Sequence, residues 1–231
     1  MGISMAKSRY DVVKPRLSSD NKVKSYYAHI AKFYDFFTRF VTFHHQKAIN
    51  MAGIKKGYCV LEVACGTGKA TVELAKAVGP SGRVEALDLS EDMIKKAERK
   101  VKHFDLISRV AFKQGNAKQL PYKDNTFDIL YNSYMLELFP DKQFEFILAE
   151  FKRVLKQNGT LVLVNMSKNK KDKIFYEKFY EKGLTGACRP VMLASFLKKT
   201  GFKGIKRIYC KNNFLFIPLS FGTEIITAKK H

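Results

Sequence analysis

Nine consecutive residues, Val60-Leu61-Glu62-Val63-Ala64-Cys65-Gly66-Thr67-Gly68, limit this chain more than any other stretch. An apolar run from Tyr58 to Val63 carries one acidic residue near its end and breaks into a glycine turn. A helical pattern follows from Lys69 to Val78. A buried strand feeding a Gly-rich turn and then a helix forms a nucleotide-binding corner. Gly66 and Gly68 allow the backbone to pass close beneath a ligand, where a Cβ would collide. About twenty residues further on, a second apolar run (Arg83 to Leu87) ends in Asp88, placed to grip a pair of ribose hydroxyls.

The remainder alternates between strand and helix signals. Gly79-Pro80-Ser81-Gly82 is a turn. Ser90 is a good N-cap for a helix from Glu91 to about Phe104, with Glu91 and Asp92 in its first turn. Short strands are expected at Val110 to Gln114 and Phe127 to Tyr131, the second a continuous apolar run suited to a sheet covered on both faces. Asp141 to Leu155 has Phe144, Ile147, Leu148, Phe151 and Leu155 at helical spacing. Asn158-Gly159 is expected to turn into a strand from Thr160 to Asn165. Helices are expected at about Asp172 to Lys182 and Val191 to Thr200. Lys203 to Cys210 and Phe221 to Ala228 read as strands of a C-terminal antiparallel hairpin. The expected architecture is α/β, a doubly wound, mostly parallel sheet with right-handed crossovers. With 231 residues, 46% of them hydrophobic, one domain with a full core is expected.

Three zones divide the chain. Residues 1–22 are polar, basic and aperiodic and read as a flexible tail. Residues 23–56 read as an N-terminal helical lid, with Tyr27, Ile30, Ala31, Tyr34, Phe37, Phe40 and Val41 at helical spacing. Residues 57–231 form the binding domain.

The formal net charge of +21 points to an anionic partner, either a phospholipid surface, RNA or an acidic substrate. Solvated lysine faces satisfy the same composition. No RNA-binding pattern that interleaves aromatic and basic residues is present. No apolar run approaches the roughly 20 residues that span a bilayer. The opening MGISMAKSRYDVVK lacks the apolar core of a secretory signal. Cys59, Cys65, Cys188 and Cys210 are scattered, with no C-x-x-C pair, which argues against a metal site and fits a reduced, cytoplasmic chain.

Three cofactor classes use a glycine corner followed by an acidic residue. A dinucleotide fingerprint requires a third glycine where Thr71 stands. A phosphate loop of the G-x-x-x-x-G-K-[ST] type is missing. E-x-A-x-G-x-G remains, without a glycine-lined cradle for a pyrophosphate. That suits S-adenosylmethionine, which has an adenosine and an amino-acid end and no phosphate.

From Tyr34 to Val164 the chain resembles class I S-adenosylmethionine-dependent methyltransferases, and among them the ubiquinone/menaquinone-biosynthesis C-methyltransferases. Val60 to Gly68 is similar to their first motif, including Ala64 in place of a glycine. Val78-Gly79-Pro80-Ser81-Gly82-Arg83-Val84 and Asp88-Leu89-Ser90-Glu91-Asp92-Met93 also match. So do Asn116-Ala117-Lys118-Gln119-Leu120-Pro121-Tyr122 and Asp124-Asn125-Thr126-Phe127-Asp128. Arg153-Val154-Leu155-Lys156-Gln157-Asn158-Gly159 resembles the family's R-V-L-K-P-G-G run.

The resemblance implies a seven-stranded Rossmann-like methyltransferase fold with S-adenosylmethionine as cofactor. It also implies roles. Glu62, Ala64 and the Gly66-Thr67-Gly68 backbone would hold the methionine end, with a hydroxyl contact from Thr71. Asp88 would accept both ribose hydroxyls, with Leu89 beside it. Asn116 would meet the adenine amine through its side-chain oxygen, next to Ala117. Ser133 would contact the amino-acid end, and Tyr34 would cover the cofactor. No metal is implied. His44, His45, Tyr134 and Glu137 are candidate proton acceptors, and the residues single out none of them as catalytic.

Substrate is where the chain departs from that family. Tyr134-Met135-Leu136-Glu137 replaces a G-L-R-N run, and Phe221-Gly222-Thr223-Glu224-Ile225-Ile226 replaces a tail containing histidine. A small or lipid-like acceptor is expected, a quinone-precursor ring first. Phospholipid N-methylation at an anionic membrane, RNA methylation, and cofactor binding without turnover are the other readings.

Overall fold

The computed structural model describes residues 19–23, 25–26, 42–166, 189–211 and 222–231. The tail up to residue 18, the aromatic residues 27–41 with Tyr34, the helix expected at 172–182, and Cys188 lie outside the described residues.

Seven strands form one sheet: β1 Cys59–Val63, β2 Arg83–Asp88, β3 Val110–Gln114, β4 Phe127–Ser133, β5 Leu155–Met166, β6 Phe202–Lys211 and β7 Gly222–Lys230. Their spatial order is β3-β2-β1-β4-β5-β7-β6. The first five pair in parallel. β7 runs antiparallel between β5 and β6, which forms the expected hairpin at the sheet edge. The order reverses direction between β1 and β4, so the carboxyl ends of these strands border a crevice where α/β sheets take ligands.

Helices cover both faces. On one side α1 (Thr42–Ala52), α2 (Lys69–Val78) and the last turns of α3 (Glu91–His103) pack on Val60, Val84, Ile129, Tyr131, Val162 and Ile225. On the other, α4 (Phe144–Val154) and α5 (Ala194–Lys199) bury Phe144, Ile147, Phe151 and Leu197 against Leu61, Leu130, Leu161, Leu163 and Ile226. Strand alternation sends Leu61 and Val63 to one face and Val60 and Glu62 to the other. α3 begins as its sequence dictates, with Ser90 Oγ accepting the Met93 N–H.

Several boundaries differ from expectation. β5 begins at Leu155, which already pairs with Phe127, and Asn158-Gly159 survives as a bulge inside the strand with Asn158 at φ 61°. A 3₁₀ turn, Asp141–Gln143, precedes α4. Val191 N–H bonds Met166 O instead of opening α5, so that helix is only the six residues Ala194–Lys199. No helix among the described residues is long and apolar enough to cross a membrane.

Candidate active site

The corner after β1 is made by three residues at positive φ: Ala64 at 61°, Gly66 at 54° and Gly68 at 81°. Gly66 and Gly68 differ in purpose. A Cβ on Gly66 would meet no atom within 4 Å, and Gly66 lines the cleft. A Cβ on Gly68 would lie 2.8 Å from Ala97 Cα, so this glycine lets α3 lie against the corner. Ala64 carries the left-handed strain on a Cβ that borders the ligand space.

Asp88 ends β2 and faces the corner across the crevice. Its Oδ2 accepts the Gly66 N–H at 2.8 Å and its Oδ1 accepts the Ser90 N–H at 2.9 Å. Burial pushes its carboxyl pKa up, while hydrogen bonds from Ser90, Gly66 and Leu89 pull it down. A carboxylate has about four acceptor positions, so with three taken by main-chain N–H groups it still has one for a ligand hydroxyl.

The cleft wall continues through Leu89, Gly115, Asn116 and Ala117 on one side and Ser133, Tyr134, Met135, Leu138 and Phe139 on the other. Of the sequence-selected residues, the fold therefore brings Ala64, Gly66, Asp88, Leu89, Asn116, Ala117 and Ser133 to one cavity. Glu62, Thr67, Gly68 and Thr71 do not line it. Glu62 points to the α2 face, where its Oε2 accepts the Thr71 hydroxyl at 2.6 Å. Burial raises its pKa to about 8, against the hydrogen bond from Thr71. Thr67 Oγ1 accepts from Lys100 Nζ at 3.4 Å. These side chains brace the corner from behind.

Asp20 and Val23, from a helical turn at residues 20–23, also line the cleft. Nothing local marks them as cleft residues, since that stretch has no apolar period. Met135, Leu138 and Phe139 were equally hidden, because their run resembles no family motif.

Among the candidate proton acceptors, Tyr134 alone lines the cleft. It stands at φ 51°, uncommon for an aromatic residue. Its hydroxyl lies 3.3 Å from His44 Nδ1 and 3.0 Å from Thr223 Oγ1. Burial, then Lys47, lowers the His44 pKa, which keeps the ring neutral. His45 is pushed down to about 3 by burial and by charge from His44 and Lys69, and its Nδ1 lies 2.7 Å from Tyr131 Oη inside the core. Glu137 is buried, with Oε1 accepting the Met166 N–H at 2.7 Å. No cluster of metal-ligating side chains occurs among the described residues.

Such a glycine corner, crossed by a carboxylate at the switch point of a doubly wound sheet, defines a nucleoside-binding α/β protein. Residues 16–189 match the ubiE/COQ5 methyltransferase family, and the chain belongs to it. The demethylmenaquinone methyltransferase of Staphylococcus carnosus is 37% identical over 151 residues, 63% of this chain and 61% of that one. The ubiquinone/menaquinone biosynthesis C-methyltransferase of Klebsiella pneumoniae is 37% identical over 120 residues, 52% and 47% of the two chains. The match thus spans less than two thirds of these relatives' length. A solved S-adenosylmethionine-dependent methyltransferase from Aquifex aeolicus superposes with a TM-score of 0.63. It covers 87% of this chain and 97% of its own at 24% identity, a likeness of fold.

Proposed function

We propose that this protein transfers a methyl group from S-adenosylmethionine to a ring carbon of a quinone precursor. The observation that carries the reading is the corner itself. Gly66 presents bare backbone to open space, and Asp88, held by main-chain N–H groups, presents its carboxylate across from it.

In this reading Asp88 accepts the ribose hydroxyls. Gly66, Ala64 and Ser133 border the amino-acid end. Leu89 and Ala117 flank the adenine, and the free lone pair of Asn116 Oδ1 faces its amine. Glu62, Thr67, Gly68 and Thr71 hold the corner's shape rather than the ligand. Tyr34 keeps its proposed place over the cofactor. S-adenosylmethionine supplies an electrophilic methyl on a positive sulfur, so the protein's task is to orient and desolvate. Val63, Met135, Leu138 and Phe139 give the cleft the apolar walls a ring acceptor needs.

A ring carbon attacks best when an adjacent hydroxyl has lost its proton. Tyr134 Oη takes that proton while passing its own to His44 Nδ1, leaving a ring anion and an imidazolium. The methylated carbon then loses its proton to solvent, which restores the aromatic ring as a phenolate, and the imidazolium returns its proton through Tyr134 to that oxygen.

The relatives' names favour a quinone ring over a phospholipid amine or RNA. A membrane-resident acceptor also gives the basic surface a purpose. Lys198, Lys199, Lys203, Lys206 and Arg207 are exposed on α5 and the edge strand β6. They would meet the anionic cytoplasmic leaflet, at about 1 kcal/mol per basic residue near the surface. Sedimentation with vesicles containing phosphatidylserine tests this, and equal binding to neutral vesicles sinks it.

The central test has two parts. The purified protein, given a radiolabelled methyl donor and demethylmenaquinone, should yield a ring-methylated product by mass spectrometry. Asp88→Ala should weaken donor binding, because a hydrogen bond to a charged acceptor contributes roughly 1.5–3 kcal/mol. Calorimetry showing unchanged affinity removes Asp88 from the role.

A further inference from the structure

The turn at residues 19–23 belongs to a segment whose sequence reads as a loose tail, yet it forms part of the cleft. Asp20 Oδ2 accepts the Asn116 Nδ2–H at 2.8 Å, across 96 residues of sequence. Asp20 Oδ1 accepts Lys118 Nζ at 2.8 Å. The turn is internally closed, with the Val23 N–H on Ser19 O at 3.1 Å and the Lys22 N–H reaching Ser19 Oγ at 3.4 Å. Asp20 and Val23 both line the cavity that Gly66 and Asp88 also line.

We propose that Asp20 is a positioning residue for the nucleobase. It fastens this turn over one end of the cleft and sets the orientation of the Asn116 amide. The inference rests on the cleft's binding S-adenosylmethionine, and it adds a determinant of base selection.

The argument is one of donors and acceptors. Asn116 Nδ2 can only donate, and Asp20, a carboxylate, can only accept. Asn116 Oδ1 receives the Lys118 N–H at 3.0 Å. Turning the amide over would set Nδ2 against that N–H and Oδ1 against the carboxylate, two repulsive contacts at once. The orientation in place leaves the second lone pair of Oδ1 for a ligand. A 6-amino purine offers a donor there, whereas a 6-oxo purine offers an acceptor. A site built to hydrogen-bond one group rejects the analogue that leaves its own groups unpaired. Without Asp20 one of the two restraints disappears, and the wall formed by residues 19–23 loses its hydrogen bonds to Asn116 and Lys118.

The test measures binding by the full-length protein of S-adenosylhomocysteine and of its inosine counterpart, which differs only at that exocyclic group. The wild type should favour the amino compound at least about thirtyfold, in line with rejection of a mispaired group. Asp20→Ala should bring that ratio down to a few-fold and speed dissociation of S-adenosylhomocysteine about tenfold in stopped-flow traces. Its melting temperature should stay at the wild-type value, because Asp20 is half-exposed and outside the core. Asp20→Asn, whose side-chain oxygen still accepts from Asn116, should restore most of the ratio. An Asp20→Ala protein with wild-type selectivity overturns the proposal while leaving the cofactor reading standing. An Asp20→Asn protein as unselective as Asp20→Ala overturns the orientation argument. A wild type that binds neither compound overturns both readings.

Discussion

The two walls of the cleft are made of different materials. The wall at the ends of β1, β2 and β3 is made of backbone. Peptide groups at positive φ shape it, and its carboxylate Asp88 is held by main-chain N–H donors. The wall at the ends of β4, β5 and β7 is made of side chains. Ser133, Tyr134, Met135, Leu138 and Phe139 form it, and Tyr134 is tied behind the wall to His44 and Thr223. Behind that second wall, outside the cleft lining, lie buried polar atoms with no hydrogen-bond partner among the described residues: Glu137 Oε2, both amide atoms of Asn165, Arg189 Nε and Glu224 Oε2. Such groups are costly in a packed interior and call for a reason. A backbone wall suits a ligand shared by a whole family, because peptide groups are the same in every member. A side-chain wall suits the ligand that distinguishes one member, because each residue can change independently.

If that division is right, the largest stability effect should come from the backbone wall, at Gly68. Ala at this position would need φ 81° and would place its Cβ 2.8 Å from Ala97 Cα and 2.9 Å from Ala97 Cβ. Left-handed strain and overpacking against α3 each cost about 1–3 kcal/mol. Urea unfolding of Gly68→Ala should show a loss of about 3 kcal/mol. Gly66→Ala has the same sign of φ and no clash, so it should lose only about 1 kcal/mol. Yet its methyl enters the cleft, and its affinity for S-adenosylhomocysteine should fall by more than its stability does. Equal losses of stability in the two variants would mean that α3 gives way easily.

On the side-chain wall the sharpest contrast is Tyr134→Phe against Asp88→Ala. Removing the hydroxyl deletes its bonds to His44 and Thr223 and nothing on the cofactor side. Turnover of the ring acceptor should drop about a hundredfold, the lower end for a proton-transfer group. Affinity for S-adenosylhomocysteine should stay within about twofold. The wild-type rate should also fall below the depressed His44 pKa, where the imidazole becomes cationic and can no longer accept a proton. His44→Gln should abolish that pH limb. Tyr134→Phe and Asp88→Ala losing cofactor affinity alike would erase the distinction between the walls.

This division also explains what could be read from the sequence. Alternating strand and helix periods, the glycine corner and Asp88 were legible from residue type and spacing, and Asn116 and Ser133, which also line the cleft, were marked by the family resemblance. The antiparallel β6–β7 pair was legible from its β-branched and aromatic content. Depth was not legible. Glu62 and Thr71 stand in the motif beside Gly66, but strand alternation turns Glu62 to the α2 face, where it bonds Thr71. Long-range partners were not legible either. Nothing local ties Asp20 to Asn116 or His45 to Tyr131, because such bonds follow from the assembled sheet. Asn158-Gly159 carries a sound turn signal that the fold spends on a bulge, since Leu155 already pairs with Phe127.

A slope with pH tests the layers behind the two walls, and each contributes one group to it. Glu62 backs the backbone wall with a pKa near 8, and Glu137 backs the side-chain wall with a pKa near 7, both raised chiefly by burial. An ordinary glutamate in the unfolded chain titrates near 4.3. Both groups therefore favour the folded state fully below that value, where they are protonated in either state. Their contribution is lost as pH rises, through about 7 for Glu137 and through about 8 for Glu62. Each group can add at most about 1.4 kcal/mol per pH unit to the slope. Glu137→Gln should flatten the fall in stability between pH 5 and 7, and Glu62→Gln should do so up to pH 8. Because a bound sulfonium brings positive charge to the cleft, the donor should flatten the Glu62 and Glu137 limbs more than S-adenosylhomocysteine does, and less for whichever carboxyl lies farther from the sulfur. Urea titrations at pH 5, 6, 7 and 8, with and without each ligand, would measure this. Identical curves for the two ligands would mean that neither carboxyl senses the charge at the reacting sulfur, and that these buried acids serve the fold alone.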